Sequence, residues 1–166
     1  LVDGLGHGPK ASEAAEAAIR VFGNSYVGDV ADYVRQANAA MRATRGGVLG
    51  LARIDLAQER VHFVGIGNIE GKIILPDRHA TLLSRNGTVG VSITPPETRI
   101  MTQTWAPGAM IILHSDGVKI QPNLAQDASL VQRDPSIIAA VILRDGFRGT
   151  DDATVVVVKD TREASA

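Results

Sequence analysis

Between residues 9 and 22 the apolar positions Ala11, Ala14, Ala15, Ala18, Ile19 and Phe22 recur at spacings of three and four, the mark of one helical face. Pro9 suits the first helical position, where a missing N–H leaves no bond unmade, and Gly23-Asn24 supplies the stop. The small side chains predict close packing against a sheet. Asp29 is an acceptor placed to cap a second helix reaching about Arg42, with Val30, Tyr33, Val34, Ala37 and Met41 on one face. After Gly46-Gly47 the period drops to two. Val48, Gly50, Ala52, Ile54 and Leu56 alternate with their neighbours, Ala57-Gln58 turns the chain, and Val61 to Gly67 and Ile69 to Leu75 read as two further strands. Strands joined this closely form an antiparallel meander. Gly65 and Gly67 inside a strand pattern predict a bulge or a close backbone approach.

A loop-rich stretch from Pro76 to Pro96 follows, with a short strand expected around Thr81 to Leu83. Ile100 to Trp105 and Met110 to His114, separated by Pro107-Gly108, read as a hairpin. Asp134-Pro135 reads as an N-cap followed by proline at the first helical position, opening a helix to about Arg144. The last strand runs from Ala153 to Lys159. Val155 to Val158 are apolar on both faces, which predicts a central strand covered on each side. A polar tail closes the chain. No repeat or linker interrupts this order, and helices followed by an antiparallel run, a helix and a strand make an α+β layout. The opening dipeptide Leu1-Val2 reads as the end of a core strand. The expectation is one domain over residues 1–166 with N-terminal strand structure missing.

Composition removes several classes of function. A length of 166 residues fits one domain, and 45% hydrophobic with 21% charged residues is a globular balance. With 17 Lys+Arg against 18 Asp+Glu, there is no basic excess to attract nucleic acid and no acidic excess for a solvating tail. The absence of cysteine removes disulfides, thiolate zinc sites and thiol nucleophiles. The longest wholly apolar run, Ile137 to Leu143, is far short of the roughly 20 residues that span a bilayer. With no signal segment in view, a cytoplasmic protein without membrane or nucleic-acid partners is expected. Aromatic residues are only 4%, so the core must be largely aliphatic.

The candidate chemistry lies in three acidic turns. Asp3 follows Val2, Asp116 lies just past Met110 to His114, and Asp151 and Asp152 immediately precede the last strand. If that strand runs antiparallel to the other two, all three turns share one edge. Oxygen ligands from several strand ends suit a hard divalent cation such as Mg²⁺ or Mn²⁺. Gly4 and Gly117 would allow tight turns with exposed carbonyls. Asp-Gly is equally an ordinary turn dipeptide, and Asp145-Gly146 is read as only that; spacing alone leaves both readings open. The run Gly4-Leu5-Gly6-His7-Gly8 also suggests a phosphate loop. A dinucleotide fingerprint needs a third glycine where Pro9 stands, and the meander is not a βαβ unit.

Four blocks carry a resemblance. Val2-Asp3-Gly4-Leu5-Gly6-His7-Gly8-Pro9 ahead of an Ala-rich helix, Gly65-Ile66-Gly67-Asn68, His114-Ser115-Asp116-Gly117 and Gly149-Thr150-Asp151-Asp152-Ala153-Thr154 occur in that order. Together they resemble the SpoIIE-type and RsbX-like branch of the metal-dependent PPM (protein phosphatase 2C) superfamily of serine phosphatases. The similarity spans essentially the whole chain. It implies an αββα sandwich of two antiparallel sheets flanked by helices, and a site for two Mn²⁺ or Mg²⁺ ions. By motif match Asp3 would bridge the metals, the Gly4 carbonyl would hold one, and Asp116 and Asp151 the other. The resemblance implies no catalytic side chain beyond a metal-activated hydroxide. Asp152, His114 and Asn68 are expected beside the ligands rather than on the metal, His114 equally as packing and Asn68 equally as a turn former. Relatives carry another acidic ligand, and often a basic phosphate-binding residue, before the first block, positions that a chain beginning at Leu1 does not include.

His7 lies four places after Asp3, not the two places of eukaryotic relatives, so no acid role is transferred to it. Trp105 is read as core or edge packing. Arg45, Arg53 and Arg85 are each candidates to meet a phosphate, with nothing in the sequence to choose among them.

The resemblance implies a phosphoserine/phosphothreonine protein phosphatase of bacterial stress signalling. Its expected partner is a phosphorylated anti-sigma antagonist of the STAS type, and the stretch from Trp105 onward resembles proteins that place an ATP-binding kinase-like domain upstream. The alternative is a non-catalytic phosphatase-like module that binds or regulates a partner; a third reading is a hydrolase of small phosphate esters.

Overall fold

The computed structural model describes residues 1–23, 28–121, 124, 127–149 and 151–162. Asn24 of the expected helix stop, Thr150 of the last acidic block and the end of the polar tail lie outside them.

The alternating stretch after Gly46 becomes β2 (Gly47–Asp55) and β3 (Arg60–Ile66). These pair antiparallel from Leu49↔Ile66 to Asp55↔Arg60, as the meander pattern requires. The chain's first strand, β1 (Val2–Gly4), lies along the outer side of β2, and β6 (Met101–Thr104) along the outer side of β3. The first sheet therefore has the order β1-β2-β3-β6. A second sheet has the order β5-β4-β7-β8, from β4 (Glu70–Ile74), β5 (His79–Leu82), β7 (Met110–His114) and β8 (Val155–Lys159).

Each sheet carries helices on its outer face. The first supports α1 (Pro9–Gly23) and α2 (Val30–Met41), whose small and aliphatic faces pack with Leu49, Val64 and Ile66. Asp29 caps α2 as expected, its carboxylate accepting the Asp32 N–H at 2.7 Å. The second sheet is covered by α4 (Pro135–Gly146), whose Ile138 and Ile142 meet Ile74, Met110 and Ile112. Asp134 caps α4 and Pro135 opens it. Between the sheets lies a third apolar layer of Val61, Phe63, Ile73, Leu82, Trp105, Ile111 and Leu113. Burying each such aliphatic or aromatic side chain stabilises the sandwich by about 1.5–3 kcal/mol. The result is the αββα sandwich, with Trp105 in its core as expected.

Four details differ from the pattern reading. β6 and β7 do not form a hairpin. β6 pairs with β3, and β7 with β4 and β8, so the turn at Ala106 to Ala109 carries the chain from one sheet to the other. The buried Trp105 indole, 2% exposed, sits at this crossing and pulls the connection inward. β8 is an edge strand rather than a central one. Val155 and Val157 pack on the α4 side, while Val156 and Val158 remain 37% and 41% exposed; a run of valines looks the same whether one face or two are covered. Asp145 and Gly146 end α4 and do not form a free turn, and a one-turn helix α3 (Ala128–Val131), capped by Asp127, has no counterpart in the periodicity.

Candidate metal centre

Asp3 sits within β1, paired with Val48, so its backbone is fixed by the sheet and not by a loop. Gly4 follows, opposite Gly47, and is pressed beneath the start of α1. A Cβ at Gly4 would run into the Ala11 carbonyl, so only glycine lets α1 begin this close to the strand. Gly6 and Gly8 take φ values of +82° and +76°, which bend the chain off β1 and into the helix. The Gly8 carbonyl then accepts the Ala11 and Ser12 N–H groups at 3.0 and 3.1 Å.

Asp116 follows β7 on a turn closed by Val118 N–H to the Ser115 carbonyl at 3.1 Å. That turn is fastened to the segment ahead of β8. Ser115 N–H donates to the Thr154 carbonyl, and the Ser115 hydroxyl accepts from Thr154 N–H at 3.0 Å. Gly117 lies against the Asp152 backbone so closely that a side chain there would collide with it. The Ser115–Gly117 turn and the Asp151–Thr154 segment are therefore fastened to each other. Asn68, after Gly67 at φ +87°, donates its side-chain N–H to Asp116 Oδ2 at 2.5 Å and tethers the end of β3 to the same carboxylate.

Asp3, Asp116 and Asp151 come together on a cleft of about 360 Å³, with Gly4, Gly6, His7 and Asn68 also in its wall. The acidic turns thus share one edge, as the topology argument requires. Burial raises the Asp3 carboxyl above its ordinary value, and repulsion from Asp116, Asp151 and Asp152 raises it further. Asp116 Oδ1 is buried and has no hydrogen-bond partner among the described residues. Carboxylates that repel one another, one with an orphaned oxygen, form an arrangement that a cation would relieve.

The donor set is all oxygen, which fits Mg²⁺ or Mn²⁺. Among the described residues no three acidic or histidine side chains already close around one point. The carboxylates converge on a shared cleft and would have to draw in to grip an ion.

The remaining candidates separate clearly. Asp152 lines a neighbouring cleft with Asp3, Ser12 and Ser115, not the one that His7 lines. His114 is 3% exposed, with Nδ1 2.9 Å from the Ser115 carbonyl and Nε2 3.7 Å from Glu70, and is absent from the cleft wall. Arg53 pairs with Asp55 at 3.7 Å, and Arg85 with Glu97 at 2.6 Å. Arg45 lies against Gly6. Sequence reasoning missed Ser115 as the fastener between two acidic segments. Its signal was available only as a small hydroxyl residue directly before Asp116, which many turns share.

The model of the family described as Stage II sporulation protein E (SpoIIE) matches residues 1–160. The chain belongs to that family, and its two helix-flanked antiparallel sheets are the fold of the PPM phosphatases. Phosphoserine phosphatase RsbX of Bacillus subtilis (strain 168) is 26% identical over 121 residues, 72% of this chain and 60% of RsbX. The matched part thus spans less than two thirds of that relative. The structure of RsbX in complex with magnesium has a TM-score of 0.80 at 24% identity, covering 95% of this chain and 78% of that one. A chain solved in work on the bacterial stressosome, a modular system adapted to control secondary messenger signalling, has a TM-score of 0.83 at 28% identity, covering 94% of this chain and 81% of that one. The catalytic domain of the serine/threonine phosphatase PstP with two manganese ions has a TM-score of 0.64 at 19% identity, covering 96% and 85%.

Proposed function

We propose that this chain is a metal-dependent phosphoserine/phosphothreonine protein phosphatase. The observation that carries the reading is the convergence of Asp3, Asp116 and Asp151 from three distant segments on one cleft, with Asp116 Oδ1 left unsatisfied. Asp3 would bridge two ions, the Gly4 carbonyl would hold one, and Asp116 and Asp151 the other. Bound cations would supply a Lewis acid that activates water and neutralises phosphoryl charge. The chain's own part is to aim and hold. β1 fixes Asp3, the Ser115 lock fixes Asp116 relative to Asp151, and the Asn68 N–H holds Asp116 Oδ2, which would leave Oδ1 available to an ion. Asp152 and His114 support this framework from outside the cleft.

The substrate we propose is a phosphorylated STAS-type protein in the cytoplasm. Membership of the SpoIIE family and likeness to a stressosome-related chain support that choice. No helix among the described residues is long and apolar enough to cross a membrane. The test is Mn²⁺ titration by calorimetry beside hydrolysis of a phosphoserine peptide and p-nitrophenyl phosphate. Two binding events and strictly Mn²⁺- or Mg²⁺-dependent turnover are expected. No binding and no turnover would leave a phosphatase-like binding module in its place.

A further inference from the structure

Four carboxylates crowd one end of the sandwich, yet a phosphate monoester is itself an anion and needs a cation from the protein to orient it. Among the three arginines that the sequence leaves undecided, the structure separates one. Arg53 and Arg85 are each engaged with a carboxylate. Arg45 forms no ion pair and no hydrogen bond among the described residues. Its guanidinium is laid over the Gly6 backbone at the rim of the acidic cleft, with Nη1 2.8 Å from where a Gly6 Cβ would stand. Gly6 is needed for its positive φ, and its bare backbone lets the guanidinium lie this close.

The placement is built rather than incidental. Arg45 belongs to the link between α2 and β2, and that link is bonded to the loop after Asp3. Leu5 N–H donates to the Gly46 carbonyl at 3.0 Å. Gly46, at φ +75°, turns the chain directly after Arg45, and Gly47 exchanges backbone hydrogen bonds with Val89 at 2.9 and 2.8 Å. The Thr44 hydroxyl accepts from Gly46 N–H at 3.1 Å and donates to the Met41 carbonyl at 2.7 Å, bracing the link from the helix side. The backbone that carries this planar, permanently charged fork is thus fixed beside the cleft, and among the described residues the fork's donors are free.

We infer that Arg45 is the substrate's anion contact, binding the phosphoryl oxygens of a phosphoserine or phosphothreonine side chain as it enters the acidic cleft. This rests on the phosphatase reading above and names the residue that selects the substrate's charged group. An arginine in this role contributes to holding substrate and product, so its loss should weaken binding more than turnover.

The experiment compares the unaltered chain with Arg45→Gln, Arg45→Lys and the control Arg53→Gln, each checked for an unchanged far-UV spectrum. Binding of inorganic phosphate to the Mn²⁺-loaded chain is measured by calorimetry, with KM and kcat for a phosphoserine peptide beside it. Arg45→Gln should weaken phosphate binding and raise KM by about tenfold, with kcat within about threefold and Mn²⁺ titration unchanged. Arg45→Lys should recover part of the loss, and Arg53→Gln should match the unaltered chain. Equal phosphate affinity and KM in Arg45→Gln would overturn the inference while the phosphatase reading stands. Failure of the unaltered chain to bind phosphate would overturn it too. Phosphate binding that depends on Arg45 without hydrolysis of any ester would support the anion contact and sink the phosphatase reading.

Discussion

The two ends of the sandwich treat the same side chain in opposite ways. Asp160 lies just past β8, beside Ala109 and Trp105, with its side chain only 3% exposed. Arg162 binds it through both Nε and Nη2, at 3.0 and 2.6 Å, and Arg162's hydrogen bonds hold the Asp160 carboxyl below its ordinary value. At the other end, among the described residues, no such cation pairs with Asp3 or Asp116. Burial and mutual repulsion push Asp3 upward, and an Asp116 oxygen is left unpaired. One end holds a compensated acid, the other a set of acids awaiting compensation. Stability accounts for the first. The second costs stability in the metal-free chain, which is the pattern expected where a fold reserves charge for a ligand.

Mutation should break that contrast in different currencies. Asp116→Ala is expected to abolish metal-dependent hydrolysis, by roughly 10²-fold or more, since a ligand is lost from the activating site. The melting temperature of the metal-free chain should hold or rise, because repulsion and an orphaned oxygen go together. Full activity in this variant would remove Asp116 from the site. Asp160→Ala should do the reverse. Stability measured by urea titration should fall by about 2 kcal/mol, less than for a fully buried ion pair because Arg162 is 38% exposed, with Mn²⁺ affinity unchanged. An effect on Mn²⁺ affinity there would show that the two ends are not independent.

Asn68→Ala sharpens the comparison by loosening the acidic end without removing an acid. Mn²⁺ affinity is expected to drop about tenfold, the scale of losing a group that orients a ligand, and calorimetry reads it directly. The smallest effect concerns pH. Asp3 titrates above its unfolded value when folded, so its contribution favours folding at pH below the ordinary carboxylate range and is lost as pH rises through the folded value. Asp160 titrates below its unfolded value, so its contribution is present above that range and is lost as pH falls through the folded value. Urea midpoints of the metal-free chain across acidic to neutral pH should therefore show two opposing slopes. Asp3→Asn should remove the falling one and leave the other; an unchanged profile would contradict the repulsion assigned to Asp3.

How much of this was legible beforehand differs between elements. α1, α2 and α4 followed from local signals alone, because capping carboxylates at Asp29 and Asp134 and a period near 3.6 act within a few residues. The β2–β3 pairing followed for the same reason, through a short turn and strict alternation. The partner of β6 did not. Strand neighbours across 38 or more positions, as in Phe63↔Met101, are chosen by which face closes the core, and the turn between β6 and β7 looks like any tight hairpin turn. The edge position of β8 was hidden because four valines carry no alternation to show which side meets solvent.

The site divides along the same line. Residue types along the chain already set which atoms are available: oxygen donors without thiols, glycines that permit the turns around Asp3 and Asp116, and three acidic segments at strand ends. Folding alone settles that Asp152 lies in a neighbouring cleft, that His114 turns to Glu70, that Asn68 holds Asp116, and that Arg45, not Arg53 or Arg85, is without a partner among the described residues. Ligand chemistry is a property of residue type and so is written along the chain. Convergence depends on long-range pairing and on which charges meet partners, and neither exists until the two sheets have closed on each other.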